Sequence, residues 1–402
     1  MARGFKVSLN NPKLLEWARS SAGYQVEDIA EYLGKSVADI QAWEAGADAP
    51  TYCQLRAFAK KVRRPVAALF LPEVPEEPAP PEDFRLLPAA ERGRFEPSAL
   101  LAFRELRGNM EELRTLADEL GHRLGLTLPS WPNMETSVSV RAAELRRELG
   151  VPLEAQMAWT GEHHALDSWR EILFHRGVLV QVFPVPVDEL RAFSVLGSGL
   201  GGVGVSSKDA PVARIFSLFH EVCHLCLRRP GVSAEPAREG RRTRAAAIEA
   251  YCERFAAAFL LPPEHPLVAE AIRALAGRLS YDTARHWASR FQVSKYTIAR
   301  LLFDLGRVSP EAYWGARDAW LRIDAEHAAA RRAKEEARKQ RGGPNAVTVR
   351  VSHVGKRYVV TVMEALRRGI LSRHDAAYVL KLPAHSLADA EAMAGSASWV
   401  GD

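Results

Sequence analysis

Cysteine is scarce in this chain, with only Cys53, Cys223, Cys226 and Cys252 among 402 residues. So sparse a set does not make a disulfide framework and points to a reducing, cytoplasmic setting. Cys223 and Cys226 form a C-x-x-C, but they lie inside an apolar stretch that reads as a buried helix, where packing is the expected role. Long apolar runs are missing as well. No stretch of about eighteen apolar residues occurs, which argues against a membrane span. The segment Met1-Ala2-Arg3-Gly4-Phe5-Lys6 lacks the apolar core of a signal peptide. Strong charge of either sign is also lacking: the formal net charge is +5, which permits nucleic-acid contact without demanding it. What is present, 47% hydrophobic and 26% charged residues, is the composition of a globular protein, and 402 residues suffice for two or three domains.

One short stretch carries chemistry: His220-Glu221-Val222-Cys223-His224. On a helix the two histidines lie one turn apart and leave the same face, so two imidazoles can meet one Zn²⁺. Glu221 then stands beside the metal, where a carboxylate can take a proton from water. The flanking Phe216, Leu218, Phe219, Val222, Leu225 and Leu227 are apolar, as a helix within a catalytic core requires. A catalytic zinc takes a third protein ligand and keeps one position open. The next helical stretch, from Ala245 to Pro262, offers Glu249 and Glu253 one turn apart. One of them can bind the metal while the other accepts the outer N–H of a ligand histidine.

The rest of the chain arranges itself around this stretch. Residues 11–71 read as five short helices: Asn11-Pro12 and Ser36 make helix starts, while Gly23 and Gly34 make turns. The phrase from Gly23 to Val62, above all Trp43-Glu44-x-Gly46-x-x-x-Pro50, resembles the Xre/Cro family of helix-turn-helix DNA-binding domains. Val26 stands where that family usually has a phosphate-touching glutamine. The resemblance puts Lys35, Ser36 and Gln41 on the recognition helix, with Asp39 among them. Little positive charge faces DNA there, so protein docking or homodimerisation stands beside DNA binding as the role of residues 1–71. Residues 72–85 open with the Pro/Glu-rich PEVPEEPAPP and read as an extended linker.

Residues 86–279 read as helices (about 97–124, 138–149 and 162–175), then three strands (178–183, 191–195 and 203–206), then the motif helix. A sheet edge beside such a helix can align a substrate backbone by strand addition. Residues 280–322 read as a second helix-turn-helix-like unit and 323–344 as a charged helix and linker. Residues 345–402 read as a small accessory module, with a two-stranded ribbon at 348–351 and 358–361. The fold class expected is mainly α with a small β-sheet: a helical domain, a zincin-like α+β domain and a C-terminal helical module.

Arg214-x-Phe216-Ser217-Leu218-Phe219-His220-Glu221-x-x-His224-Leu225, followed by Ile248-Glu249-x-x-Cys252-x-x-Phe255-Ala256-Ala257-x-Phe259-Leu260-Leu261-Pro262, resembles the ImmA/IrrE family of zinc metallopeptidases. The resemblance is close from about Trp169 to Pro263. It implies one Zn²⁺ per chain on His220 and His224, Glu249 as third ligand and Glu221 as general base. At Glu253 that family more often has asparagine or aspartate. The activity implied is endopeptidase cleavage of a helix-turn-helix transcriptional repressor, in stress-response or mobile-element regulation. The competing reading is a DNA-binding regulator or antitoxin-like protein that uses the peptidase fold as a sensing module.

Overall fold

The computed structural model describes residues 5–83, 95–233, 243–339 (side chains to 327) and 345–395. By their internal contacts the residues form two units, Met1–Pro80 with Gly93–Glu105, and Pro81–Arg92 with Leu106–Asp402.

The first unit holds α1 (Lys13–Ser20), α2 (Val26–Leu33), α3 (Val37–Glu44), α4 (Tyr52–Lys61) and a 3₁₀ turn at Val66–Phe70. Gly34, at φ +60°, closes α2 in the left-handed conformation, and Ser36 opens α3 two residues later through a capping box with Asp39. Leu15, Ala18, Ile29, Ile40, Trp43, Leu55 and Phe58 meet in one small core. Residues 72–81 form no helix or strand.

The second unit contains one five-stranded mixed sheet with helices packed on it. Its strands are β1 (Glu82–Asp83), β2 (Val178–Phe183), β3 (Ala192–Gly197), β4 (Leu200–Ser206) and β5 (Gly231–Ser233), in the order β1-β5-β3-β4-β2. β2 runs parallel to β4 from Val178↔Gly201 to Phe183↔Ser206, and β3 and β4 form an antiparallel hairpin. Its turn, Ser198-Gly199, has φ of 52° and 72°, the left-handed pair that a two-residue hairpin turn needs to match the strands' twist. β4 is rich in glycine because its neighbours come close: a Cβ at Gly204 would lie 2.2 Å from the Phe193 ring.

The helices before the sheet are α5 (Pro97–Leu120), which gives its residues up to Glu105 to the first unit, α6 (Val138–Leu149), α7 (Leu153–Met157) and α8 (Glu162–Phe174). After β4 comes α9 (Pro211–Cys226), and after β5 come α10 (Arg244–Leu260), α11 (Pro266–Leu275), α12 (Tyr281–Phe291), α13 (Lys295–Asp304) and α14 (Pro310–Lys339). The chain closes with α15 (Ala346–Val354), α16 (Lys356–Arg367), α17 (Arg373–Leu380) and α18 (Leu387–Ala394). The class is therefore mainly α with a small sheet, as the sequence leads one to expect. No helix among the described residues is long and apolar enough to cross a membrane.

The ribbon expected at 348–351 and 358–361 is absent. Those residues belong to α15 and α16. Alternating valines suggest a period of two, yet in α15 the buried set is Val347, Val351 and Val354, which is helical spacing, and in α16 every residue from Tyr358 to Met363 is buried, so no alternation survives. Tertiary burial overrides β-propensity here. Gly355 is not a hairpin turn but the break between the two helices, at φ +95°, where a Cβ would meet Arg170 at 2.7 Å. Phe84 and Arg85, which end the expected linker, lie outside the described residues, as do 340–344.

Candidate metal centre

Two helices build the centre. α9 starts with Pro211 at its first position and is buried from Ser217 through Cys226, so His220, Glu221 and His224 are held in a packed environment. α10 starts at Thr243, whose hydroxyl accepts from the Ala246 N–H at 3.1 Å, and carries Glu249, Cys252 and Glu253 on its buried side. Aromatic packing fixes the two helices side by side. Phe219 stacks on Phe259 at 4.1 Å, and Trp169 of α8 meets Phe219 edge-on at 4.6 Å.

Three lone-pair groups converge between these helices. His220 Nε2 and His224 Nε2 are 3.2 Å apart, and Glu249 places Oε2 3.3 Å from the first and Oε1 3.1 Å from the second. Donors at 2.0–2.1 Å from a tetrahedral Zn²⁺ are separated by about 3.3–3.4 Å, so the spacing suits one small divalent cation. His224 Nδ1 lies 3.0 Å from the carbonyl of Arg229. That contact orients the ring so that Nε2 faces His220 and Glu249. Glu249 Oε1 is buried without a hydrogen-bond partner. Lone-pair groups facing one another in a dry interior need a cation between them, and the residues present fit a metal. Proton affinities show the same convergence. Burial favours a neutral Glu249, but His220 and His224 hold its carboxyl down at about 2. Burial likewise disfavours a charged His224, yet Cys252 and Glu249 raise it well above ordinary imidazole.

Glu221 is fully buried and accepts a hydrogen bond from the Ser194 hydroxyl of β3 at 2.6 Å. Ser194 Oγ in turn accepts from the Gly231 N–H of β5 at 3.3 Å. Sequence patterning does not single out Ser194, because an alternating polar residue in a strand has no motif of its own. A cleft of about 580 Å³ opens beside the centre and is lined by His220, Glu221 and Glu253, with Arg191, Tyr296 and Arg300 among its other walls.

The second carboxylate of α10 does not support a histidine as the sequence suggests. Glu253 is ion-paired with Arg300 of α13, whose Nε also reaches both oxygens of Asp304 at 3.0 and 2.9 Å. The outer nitrogen of His224 goes instead to a main-chain carbonyl. Tyr251 of α10 is buried and donates to the Thr136 carbonyl at 3.2 Å, and it does not line the cleft. Beside β3 the edge is already taken at Ala192 and Phe193, which pair with β5.

The residues proposed to touch DNA sit on the first unit. Lys35 and Gln41 are exposed, and the Ser36 hydroxyl is the cap of α3, accepting from the Asp39 N–H at 3.1 Å. Nearby cations serve packing: Lys61 lies 4.7 and 4.9 Å from the Tyr24 and Tyr32 rings, and Arg64 lies 3.8 Å over Trp17 and pairs with Glu77.

Two histidines and a glutamate on one helix, met by a carboxylate from the next and laid over a small mixed sheet, make a centre of the metallopeptidase type. Comparison with protein families agrees: residues 175–303 match the family model described as the IrrE N-terminal-like domain, Peptidase_M78. The matched region runs from β2 through α13 and so contains the whole centre, while α1–α4 lie outside it. No curated protein and no solved structure gives a match.

Proposed function

We propose that this protein is a zinc-dependent endopeptidase of regulatory type, acting on a protein substrate, with a helix-turn-helix transcriptional repressor as the favoured target. The observation that carries the reading is the convergence of His220 Nε2, His224 Nε2 and Glu249 beside a buried Glu221 that borders the cleft. His220, His224 and Glu249 would hold the ion. When bound, the metal supplies Lewis acidity, lowering the proton affinity of water and polarising a carbonyl.

The chain's own residues do the rest. Glu221 takes the proton of the attacking water and delivers it to the leaving amine. Ser194 holds one oxygen of that carboxylate and so fixes its orientation beside the cleft. The Arg229 carbonyl keeps the His224 ring oriented with Nε2 toward His220 and Glu249. Arg300, fixed between Glu253 and Asp304, ties α13 to α10 on the cleft wall. The rival reading, a DNA-binding regulator with a sensing module, has less support, because Lys61 and Arg64 of the first unit are engaged with aromatic rings and Glu77.

The test is hydrolysis of purified candidate repressors by the zinc-loaded protein. Glu221→Gln should lower kcat by at least about a hundredfold with metal content unchanged, and a strong chelator should abolish cleavage. Full cleavage by the Gln variant sinks the assigned role of Glu221.

A further inference from the structure

Cys252 has no part in the mechanism above, yet it faces the metal centre. It lies three residues after Glu249 on α10, so the two side chains share one face of the helix. Its Sγ and one ring nitrogen each of His220 and His224 all lie within 4.8 Å of one another. All three side chains are buried. His220 and Glu221 border the cleft, whereas Cys252 does not, so the thiol approaches the histidine pair from the protein side and leaves the cleft side to water and substrate. Glu249, one turn earlier on the same helix, places its carboxylate against the same two histidines, at 3.3 Å from His220 Nε2 and 3.1 Å from His224 Nε2.

We infer that Cys252 is a further metal donor, so that the ion is held by His220, His224, Glu249 and the thiolate of Cys252. The inference rests on the reading of this place as a metal centre. Its chemistry balances simply: the S–H bond breaks as the sulfur–metal bond forms, and the proton leaves to solvent, as it does whenever a thiol ligates a cation. A thiolate alters which ion is preferred. Two imidazoles, a carboxylate and a soft sulfur suit Zn²⁺ or Co²⁺ and disfavour Mg²⁺, Ca²⁺ and Mn²⁺. It also alters what the ion does, since a fourth protein donor leaves water as an added ligand rather than the occupant of the only open position.

Cobalt is the probe that tests this without reference to activity. The Co²⁺-loaded full-length protein should show a near-ultraviolet thiolate-to-metal charge-transfer band. Cys252→Ala and Cys252→Ser should both lose it, and Cys223→Ala should keep it. The Ser variant preserves size and polarity, so it answers the question if the Ala variant folds poorly. In competition with a chromogenic chelator, Zn²⁺ affinity should fall by about tenfold or more in both Cys252 variants. A wild-type protein that binds Co²⁺ without the band overturns the inference, as does a band that survives in the Cys252 variants or vanishes in Cys223→Ala. The two readings fail separately. Peptide hydrolysis without the band removes the sulfur donor and leaves the peptidase, whereas the band without hydrolysis of any repressor removes the peptidase and leaves the donor.

Discussion

The Ser194 hydroxyl has a single proton, and with the Gly231 N–H on its lone pair that proton goes to Glu221. Ser194→Ala should lower kcat by about tenfold to a hundredfold, with KM nearly unchanged. Ser194→Thr, which keeps the hydroxyl, should restore it. An unchanged kcat, or a change in KM alone, would show that Ser194 only fills space. At this scale the sequence was informative for some residues and silent for others. His220, Glu221 and His224 announce themselves by spacing, and Glu249 by its place on the following helix. Helical spacing could also have found Cys252, at i+3 from Glu249. Nothing in the order of residues could have assigned Glu253 to Arg300, which is 47 positions away, or Ser194 to Glu221.

Among the elements, α14 shows how a long polar helix is recruited to the centre. Its Asp324 accepts from Lys295 at 2.6 Å, Tyr296 at 2.7 Å and Tyr281 at 2.9 Å, pinning α14 against the ends of α12 and α13 on the cleft wall. Burial favours the neutral acid, but Lys295 and the two tyrosines outweigh it and hold the carboxyl below the usual range. A carboxyl depressed in the folded state stabilises above its unfolded pKa, and the contribution is lost as pH falls through the folded value. Asp324→Asn should thus melt at a lower temperature than wild type at neutral pH, and the gap should close in acid. A gap equal at both pH values would mean that the charge of Asp324 is irrelevant to the pin. From the sequence, this helix reads as a solvated charged rod. Its polar composition gives no sign that one aspartate is a shared acceptor, because the three donors come from two other helices.

For the molecule as a whole, the C-terminal helices are fastened to the sheet of the second unit. Arg170 of α8 is buried and donates to the Val180 carbonyl in β2 and to the carbonyls of Ser352 and His353 in α15. Gln181 adds a bond to the Val354 carbonyl at 3.3 Å, and Tyr358 reaches Asn109 at 3.3 Å. Burial lowers the proton affinity of Arg170 to about 10, which still leaves it charged at neutral pH. Arg170→Met keeps the apolar stem but strands these carbonyls, at a cost of about 2–4 kcal/mol. Thermal unfolding should shift down accordingly, and protease should degrade α15 and α16 sooner. Unchanged unfolding would show that the C-terminal helices are held by apolar packing alone.

By itself the sequence determined the class of the fold, the helices of the first unit, three of the sheet's five strands and the pair of histidines with their acid. These follow from local rules of spacing, capping and turn chemistry. Only the tertiary structure decided that the valine-rich tail is helical, that Glu249 rather than Glu253 faces both imidazoles, that Ser194 holds Glu221, and that a thiol lies behind the histidine pair. Each of these depends on which distant segment supplies burial or a partner, and side chains brought together across folded elements leave no period in the chain that joins them.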